Sequence, residues 1–151
     1  MKSVTAKWYE VTVKYEKEAD NGALKTISEG YAVDALSFSE AEATINKELA
    51  EYIHAEFEIT AIKIAQYKEA FFSDDEEDDR YYAAKLEFIT VNDKGDEKRT
   101  GVIYLIQAKS MERAMKYIKD IMSQSVQNYE SVSLKETKLM DVFTHSLSNK
   151  K

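Results

Sequence analysis

The sequence predicts an α+β fold made by tandem duplication of a strand–strand–helix–strand unit of about seventy residues. Three observations predict it: turn residues, helix caps and alternating apolar residues recur in register when the chain is compared with itself. At an offset of 73 residues, Gly22 meets Gly95 and Ser37 meets Ser110. Further identical pairs, the last three after a one-residue gap, are Tyr9–Tyr82, Tyr31–Tyr104, Ala35–Ala108, Ala41–Ala114, Ile45–Ile118, Glu58–Glu130, Lys63–Lys135 and Phe71–Phe143.

The two copies lie within one domain of 151 residues. The first copy covers residues 7–72 and the second covers residues 80–143. Between them, the acidic run 73–79 is predicted to be a hydrated linker, because like charges repel and keep a segment extended. A Ca²⁺ site is the alternative for this run, but the spaced ligands and central glycine of an EF-hand are missing. The polar tail, 144–151, is expected to fray.

Alternation of apolar and polar residues predicts that each copy opens with two strands, which in the first copy cover 7–17 and 24–35. The Asn21-Gly22 pair predicts the turn between them, because both residues tolerate positive φ. A third strand is expected to close each copy, over 57–71 and 129–143. These strands predict a mostly antiparallel sheet.

A helix follows the second strand of each copy. Ser37 with Glu40 forms a capping box, and Ser110 occupies the equivalent position in the second copy. The apolar stripe of the second helix is Met111, Ala114, Met115, Ile118, Met122 and Val126. Methionine-rich stripes serve adaptable binding in some proteins, but here they match apolar positions of the first helix, which favours core packing. We therefore expect both helices on one face of the sheet, with pseudo-twofold symmetry.

Composition excludes several classes of protein. Cysteine is absent, so disulfides, thiolate nucleophiles and cysteine-based zinc sites are excluded. The net charge of −7 comes mainly from the acidic run, and no basic cluster of the nucleic-acid-binding kind occurs. No apolar segment approaches the ~18 residues that span a bilayer, and no signal-peptide pattern opens the chain. A cytoplasmic protein without membrane contact is expected.

Motifs of catalysis are not found. His54 and His145 are the only histidines, and neither belongs to a metal-binding or triad spacing. Phosphate-binding glycine loops and nucleophile elbows are missing as well. The sequence therefore favours a protein that is not an enzyme and has no cofactor or metal. A small-ligand or paired-carboxylate site at the seam between the copies stays as an alternative.

The outer face of the predicted sheet carries the candidate interaction residues. Trp8 and Tyr81 are equivalent in the two copies, and Ile103 and Leu105 point the same way. An apolar face of this kind predicts a surface for a protein partner or a homodimer, and we interpret the chain as a binding or adaptor protein. Two alternatives stay open: the face is covered by another part of the chain, or its rings stack bases of a single-stranded nucleic acid.

Four segments resemble a family of small proteins of unknown function from Bacteroidetes and their phages, including crAss-like phages. These segments are WYEVTVKY at 8–15, YAVDALSFSEAE at 31–42, DRYY at 79–82 and MDVF at 140–143. The resemblance covers nearly the whole chain. It implies a gut-bacterial or phage origin, with a genetic setting of phage or mobile-element functions, and it transfers no functional residues.

Overall fold

The structure is a computed structural model that describes residues 1–145 and confirms the α+β class. Its sheets are mixed but mostly antiparallel, and the described part contains two helices. The elements are β1 (Lys2–Val4), β2 (Trp8–Glu18), β3 (Leu24–Asp34), α1 (Phe38–Leu49), β4 (Phe57–Ala65), β5 (Tyr67–Phe72), β6 (Arg80–Val91), β7 (Glu97–Ala108), α2 (Met111–Met122), β8 (Asn128–Glu136) and β9 (Leu139–Phe143).

The chain divides into two compact units, each with its own sheet. The α1 unit comprises, among the described residues, 6–66 and 138–145, and its strands are ordered β4-β2-β3-β9. The α2 unit comprises residues 1–5 and 67–137, with the order β1-β5-β7-β6-β8. The prediction of one sheet with two helices on one face is therefore wrong in this detail, because each helix packs on a separate sheet.

In the α1 unit, a long hairpin provides the platform for the helix. β2 and β3 pair antiparallel, with Val11 opposite Tyr31, so that the alternating apolar residues of both strands share one face. Ser37 caps α1 by accepting a hydrogen bond from the Glu40 backbone N–H at 3.1 Å. The buried core of this unit consists of Tyr9, Val11, Val13, Tyr31, Val33, Ala35, Ala41, Ile45, Leu49 and Ile53.

The α2 unit repeats this arrangement on the β6–β7 hairpin. Ser110 caps α2 through the Arg113 backbone N–H at 3.1 Å. Ala114, Ile118 and Met122 are the buried residues of the helix, and they pack on the inward face of the hairpin. The other buried residues of the clusters beneath the helix are Phe71, Tyr82, Ala84, Leu86, Val102, Ile106 and Ala108.

Local details of the two units correspond under the predicted alignment. The turn glycines Gly22 and Gly95 have φ values of 81° and 82°. The register shifts between Thr12 and Val13 where β2 pairs with β4, and the equivalent shift lies between Lys85 and Leu86 where β6 pairs with β8. These features agree with a duplication, which stays a prediction.

The third strand of each copy is not continuous as predicted. The segment 57–71 is divided at Gln66 into β4 and β5, and the segment 129–143 is divided into β8 and β9. The reason is that the chain changes sheets: β5 pairs in parallel with β7, and β9 pairs in parallel with β3. The ends of both predicted copies, 67–72 and 138–143, therefore belong to the unit of the other copy.

The turn at Gly95 provides a test of the hairpin geometry. An added methyl group would meet no atom within 4 Å at Gly95, so Gly95→Ala tests backbone strain alone. We expect it to lower the free energy of unfolding by about 1 kcal/mol, measured by urea denaturation, because φ is positive there.

Gly101→Ala is the control, because its φ is not positive and the nearest atom, Lys85 Cε, would be 3.8 Å away. It should leave the free energy of unfolding unchanged or raise it slightly. Equal losses in both variants would contradict the strained turn.

Candidate functional site

The four residues of the predicted interaction face are mostly inaccessible. Trp8, Tyr81 and Leu105 are 0%, 5% and 1% exposed, and Ile103 is half-buried. The expected exposure is therefore not found at three of the four positions, which agrees with coverage by other parts of the chain. An interaction through this face stays a prediction.

Exposed apolar side chains occur at several places in the described chain, and two of them lie one turn apart on α2. Its Ala114, Ile118 and Met122 are buried as the core-packing prediction requires. Met111 and Met115 are 45% and 50% exposed, and Val126 is fully exposed beyond the end of α2, so the core-packing prediction is wrong for these three. The two methionines lie on the side of α2 that lines a groove with β8, the edge strand of the sheet.

These methionines line a groove between α2 and β8, which we call the α2–β8 groove. It has a volume of about 280 Å³. The principal lining residues are Met111, Met115 and Ile118 from the helix, with Tyr129, Val132 and Leu134 from the strand. Ser131 and Ser133 of β8 add hydroxyl groups. The arrangement is a concave apolar surface with a few polar groups, as in many binding sites.

A β-bulge in β8 places Val132 in this groove. Lys85 of β6 pairs with Ser133, and the next residue, Leu86, pairs with Ser131, so Val132 has no partner on β6. Bulges of this kind redirect a side chain, and that of Val132 is 49% exposed. The bulge therefore adds an accessible apolar side chain to an otherwise polar stretch of strand.

Lys119 is the charged residue among those that line the groove. It is exposed, and it forms no ion pair within the described part of the chain. Its ammonium group is therefore available to a negatively charged ligand group at the margin of the groove.

A second cluster surrounds Asp78, in the acidic segment that was predicted to be a hydrated linker. Asp78 is 2% exposed and accepts hydrogen bonds from Ser73 Oγ at 2.5 Å, Tyr117 Oη at 2.5 Å and Lys109 N at 2.8 Å. The expectation of hydration is wrong for this residue, although residues 74–77 are exposed. The segment folds because Asp78 satisfies three donors of the α2 unit.

Electrostatics keep Asp78 ionised. Burial by itself would raise the pKa of this carboxyl. Hydrogen bonds from Ser73, Tyr117 and the Lys109 backbone lower the pKa, and the positive charge of Arg113 lowers it further. The net effect is a lowered pKa. Burial raises the pKa of Tyr117, and its hydrogen bond to Asp78 raises it further. The tyrosine therefore stays protonated and continues to donate. We interpret this cluster as structural.

A third cluster joins the end of β9 to the end of β3. The buried Asp34 accepts hydrogen bonds from Thr144 Oγ1 at 2.8 Å and from His145 N at 3.0 Å, and His145 Nδ1 lies 2.8 Å from its Oδ1. Thr44 Oγ1 is 3.4 Å from His145 Nε2, which completes a carboxylate–imidazole–hydroxyl series. The two tail residues that were expected to fray are thus anchored; 146–151 lie outside the described residues.

The described residues contain neither a group of metal-ligating side chains nor a membrane-spanning helix. No group of three or more acidic or histidine side chains within residues 1–145 is placed to hold a metal ion. Neither α1 nor α2 is long and apolar enough to cross a membrane, since each has 12 residues.

The profile of a protein family described as a domain of unknown function, DUF4494, matches residues 7–145. The chain belongs to this family. The DUF4494 match includes the α2–β8 groove, Asp78 and the Asp34–His145 pair, and it leaves out β1. Neither the curated proteins nor the solved structures contain a significant match to the chain. The evidence on function is therefore the structure of this DUF4494 protein.

Trp8 gives a direct measurement of how accessible the outer face is. It is the single tryptophan of this DUF4494 chain, and its Nε1 is buried without a hydrogen-bond partner in the described part. We expect blue-shifted emission and protection from iodide quenching in the folded protein, both lost in urea, because the indole is shielded from water. Emission typical of a hydrated indole before unfolding would contradict this burial.

Replacement of Asp78 tests the role of the acidic segment. We expect Asp78→Asn to lower the free energy of unfolding by about 1–3 kcal/mol at neutral pH, because the amide cannot accept from all three donors. The folded pKa is lowered, so the stabilisation by Asp78 is present above the unfolded pKa of about 3.9 and is lost as pH falls through the folded pKa.

The decrease in the free energy of unfolding caused by Asp78→Asn should therefore be smaller in acid than at neutral pH. Urea denaturation at a series of pH values between these conditions measures it. Asp74→Asn is the matched control, because Asp74 is exposed and undergoes the same change of charge. A similar small effect for both variants would show that the segment behaves as a solvated linker.

Proposed function

We propose that this DUF4494 protein is a non-enzymatic binding protein that holds an apolar segment of a partner protein in the α2–β8 groove. The observation that carries the proposal is the exposure of Met111, Met115 and Val132 around one concave site. Apolar side chains that are exposed singly are ordinary, but a cluster at a groove is typical of an interaction surface.

The size and chemistry of the groove favour a peptide segment over a small substrate. Its volume of about 280 Å³ is slightly below the range of about 300–1,000 Å³ that is typical of small-molecule pockets. Its lining is mainly aliphatic and thioether, with Lys119 at the margin and no carboxylate or histidine. General acid–base chemistry needs such groups within reach of a substrate, so the groove suits binding better than catalysis.

Methionine side chains suit a partner surface that adapts on binding. Met111 and Met115 lie one turn apart on α2, and their unbranched thioether chains can adopt several rotamers against different apolar groups. The free energy of binding would come from removing these side chains and Val132 from water.

The predicted alignment of the two copies assigns the groove to the second copy. Met115 corresponds to Glu42, and Val132 corresponds to Thr60, and both of these counterparts are exposed. The counterpart of Met111 is Phe38, which is apolar and 50% exposed, so the two copies differ in polarity at Met115 and Val132 only among these three positions. This difference supports a role for the groove in function, since a purely structural requirement would act on both copies.

The setting of this activity is also part of the proposal. Absence of cysteine supports the cytoplasm, and the sequence resemblance supports a Bacteroidetes or phage origin. Weak binding of single-stranded nucleic acid has less support, because Trp8 and Tyr81, the rings expected to stack on bases, are buried.

Selection from a random peptide display library tests the proposal. We expect selected peptides to bind the wild-type protein and to lose at least about tenfold in affinity with Met115→Glu, because a carboxylate would be placed in the apolar groove. Fluorescence polarisation measures the affinities. The ε-methyl NMR signals of Met111 and Met115 should shift on binding, and those of Met1 and Met140 should not.

Leu36→Glu is the matched control, because Leu36 is 82% exposed and does not line the groove. It should bind the selected peptides as the wild type does. Met115→Glu should stay folded, since Met115 is half-exposed and its predicted counterpart is Glu42. Peptides that bind both variants equally well, or a library that returns no binder, would overturn the proposal.

A further inference from the structure

We propose that the partner segment binds as an added β-strand on the free edge of β8 and places a carboxylate beside Lys119. This inference rests on the proposed function and specifies the conformation and charge of the ligand. Its physical basis is that one wall of the groove is an edge strand, so a bound segment contacts unpaired backbone groups as well as apolar side chains.

β8 is the terminal strand of its sheet. Eight of its nine residues pair with β6 on one side, the exception being Val132 at the bulge, and no other described strand pairs with it. In an antiparallel pair, alternate residues direct their N–H and C=O groups away from the partner strand. These groups form a template for another strand, and extended peptides bind such edges in several recognition modes.

The charges of β8 leave the middle of this edge open. Proteins commonly protect an edge strand by placing charged side chains on it. Glu130 is paired with Arg99 at 2.6 Å and Glu136 with Arg80 at 3.4 Å, near the two ends of the strand. The central residues 131–133 are uncharged. Lys135 is a further charged residue, next to Glu136 at the C-terminal end. Charge therefore does not prevent a ligand strand from approaching at the central residues, where the groove is apolar.

The bulge at Val132 limits the length of the added strand. Because a bulge interrupts the regular ladder and increases the local twist, a long regular pairing between two copies of β8 is disfavoured. A short segment can pair on one side of the bulge and direct an apolar side chain between Met115 and Val132. This geometry favours a short linear peptide over a second copy of the chain.

Lys119 determines the charge of the ligand. It is the charged residue that lines the groove, and the chain as a whole has a net charge of −7. Long-range attraction therefore does not bring an acidic peptide to this protein, and the preference for a carboxylate must come from local contact with Lys119. The proposed ligand is an extended segment with an apolar side chain followed or preceded by an acidic group.

Backbone methylation of the peptides selected on the wild-type protein tests the mode of binding. N-methylation at alternate residues should weaken binding by about tenfold, and methylation at the intervening residues should have little effect, because only every second N–H faces β8. Amide NMR signals of residues 131–133 should shift on binding. A helical ligand would instead show apolar residues at spacings of three and four and a helical circular-dichroism spectrum.

A charge exchange tests the contact with Lys119. Lys119→Glu should lower the affinity for acidic peptides by about three- to tenfold. The same variant should raise the affinity for peptides in which Lys replaces the acidic residue. Lys116→Glu is the control, since Lys116 is exposed on the same helix but does not line the groove. Its effect on both peptides should be small and should disappear at high salt.

The outcomes separate this inference from the proposed function. Peptides that require Met115 but are insensitive to N-methylation would overturn strand addition and leave the groove as a binding site. A second copy of the chain would replace the peptide as the ligand if light scattering gave the mass of a dimer for the wild type and of a monomer for Met115→Glu. Failure to obtain any groove-dependent peptide would overturn both.

Discussion

Parallel pairing of β9 with β3, and of β5 with β7, is the constraint on which the rest of the structure depends. In these pairings Phe143 lies opposite Val33, and Phe71 lies opposite Ile106. The parallel pairing of β5 places β5 and β1 on the β7 side of the sheet, and β9 leaves for the other sheet, so β8 is the edge strand on the β6 side. The exposed methionines of α2 line a groove with that edge strand. The α2–β8 groove thus depends on the order of the strands, to which both parallel pairings contribute.

Local structure was predictable because its signals are local. The Asn21-Gly22 turn and the Ser37 and Ser110 caps require only neighbouring residues, and all are confirmed. The change of sheet at Gln66 was not predictable, since no glycine or proline marks it and alternation continues on both sides. Burial of Trp8 was not predictable either, because a strand pattern does not specify what covers the outer face of a sheet.

The candidate site was predictable only in part. A helical stripe does not distinguish residues that enter the core from residues that flank a groove, so Met111 and Met115 were assigned to the core with Ile118. The comparison of Met115 with Glu42 contains a usable signal, because a polar counterpart argues against burial. Asp78 gave no signal, because it is one of six consecutive acidic residues and only the fold distinguishes it from its neighbours.

The division of both units between distant parts of the chain has a practical consequence for dissecting the protein. A chain cut in the acidic loop 73–79 would yield one fragment with β5 but without β7, and another with β9 but without β3. Each fragment would therefore expose the strand edges and apolar residues that the other normally covers. The halves would behave as a complementation pair, which assembles only when both are present, and neither half would serve as a separately expressed domain.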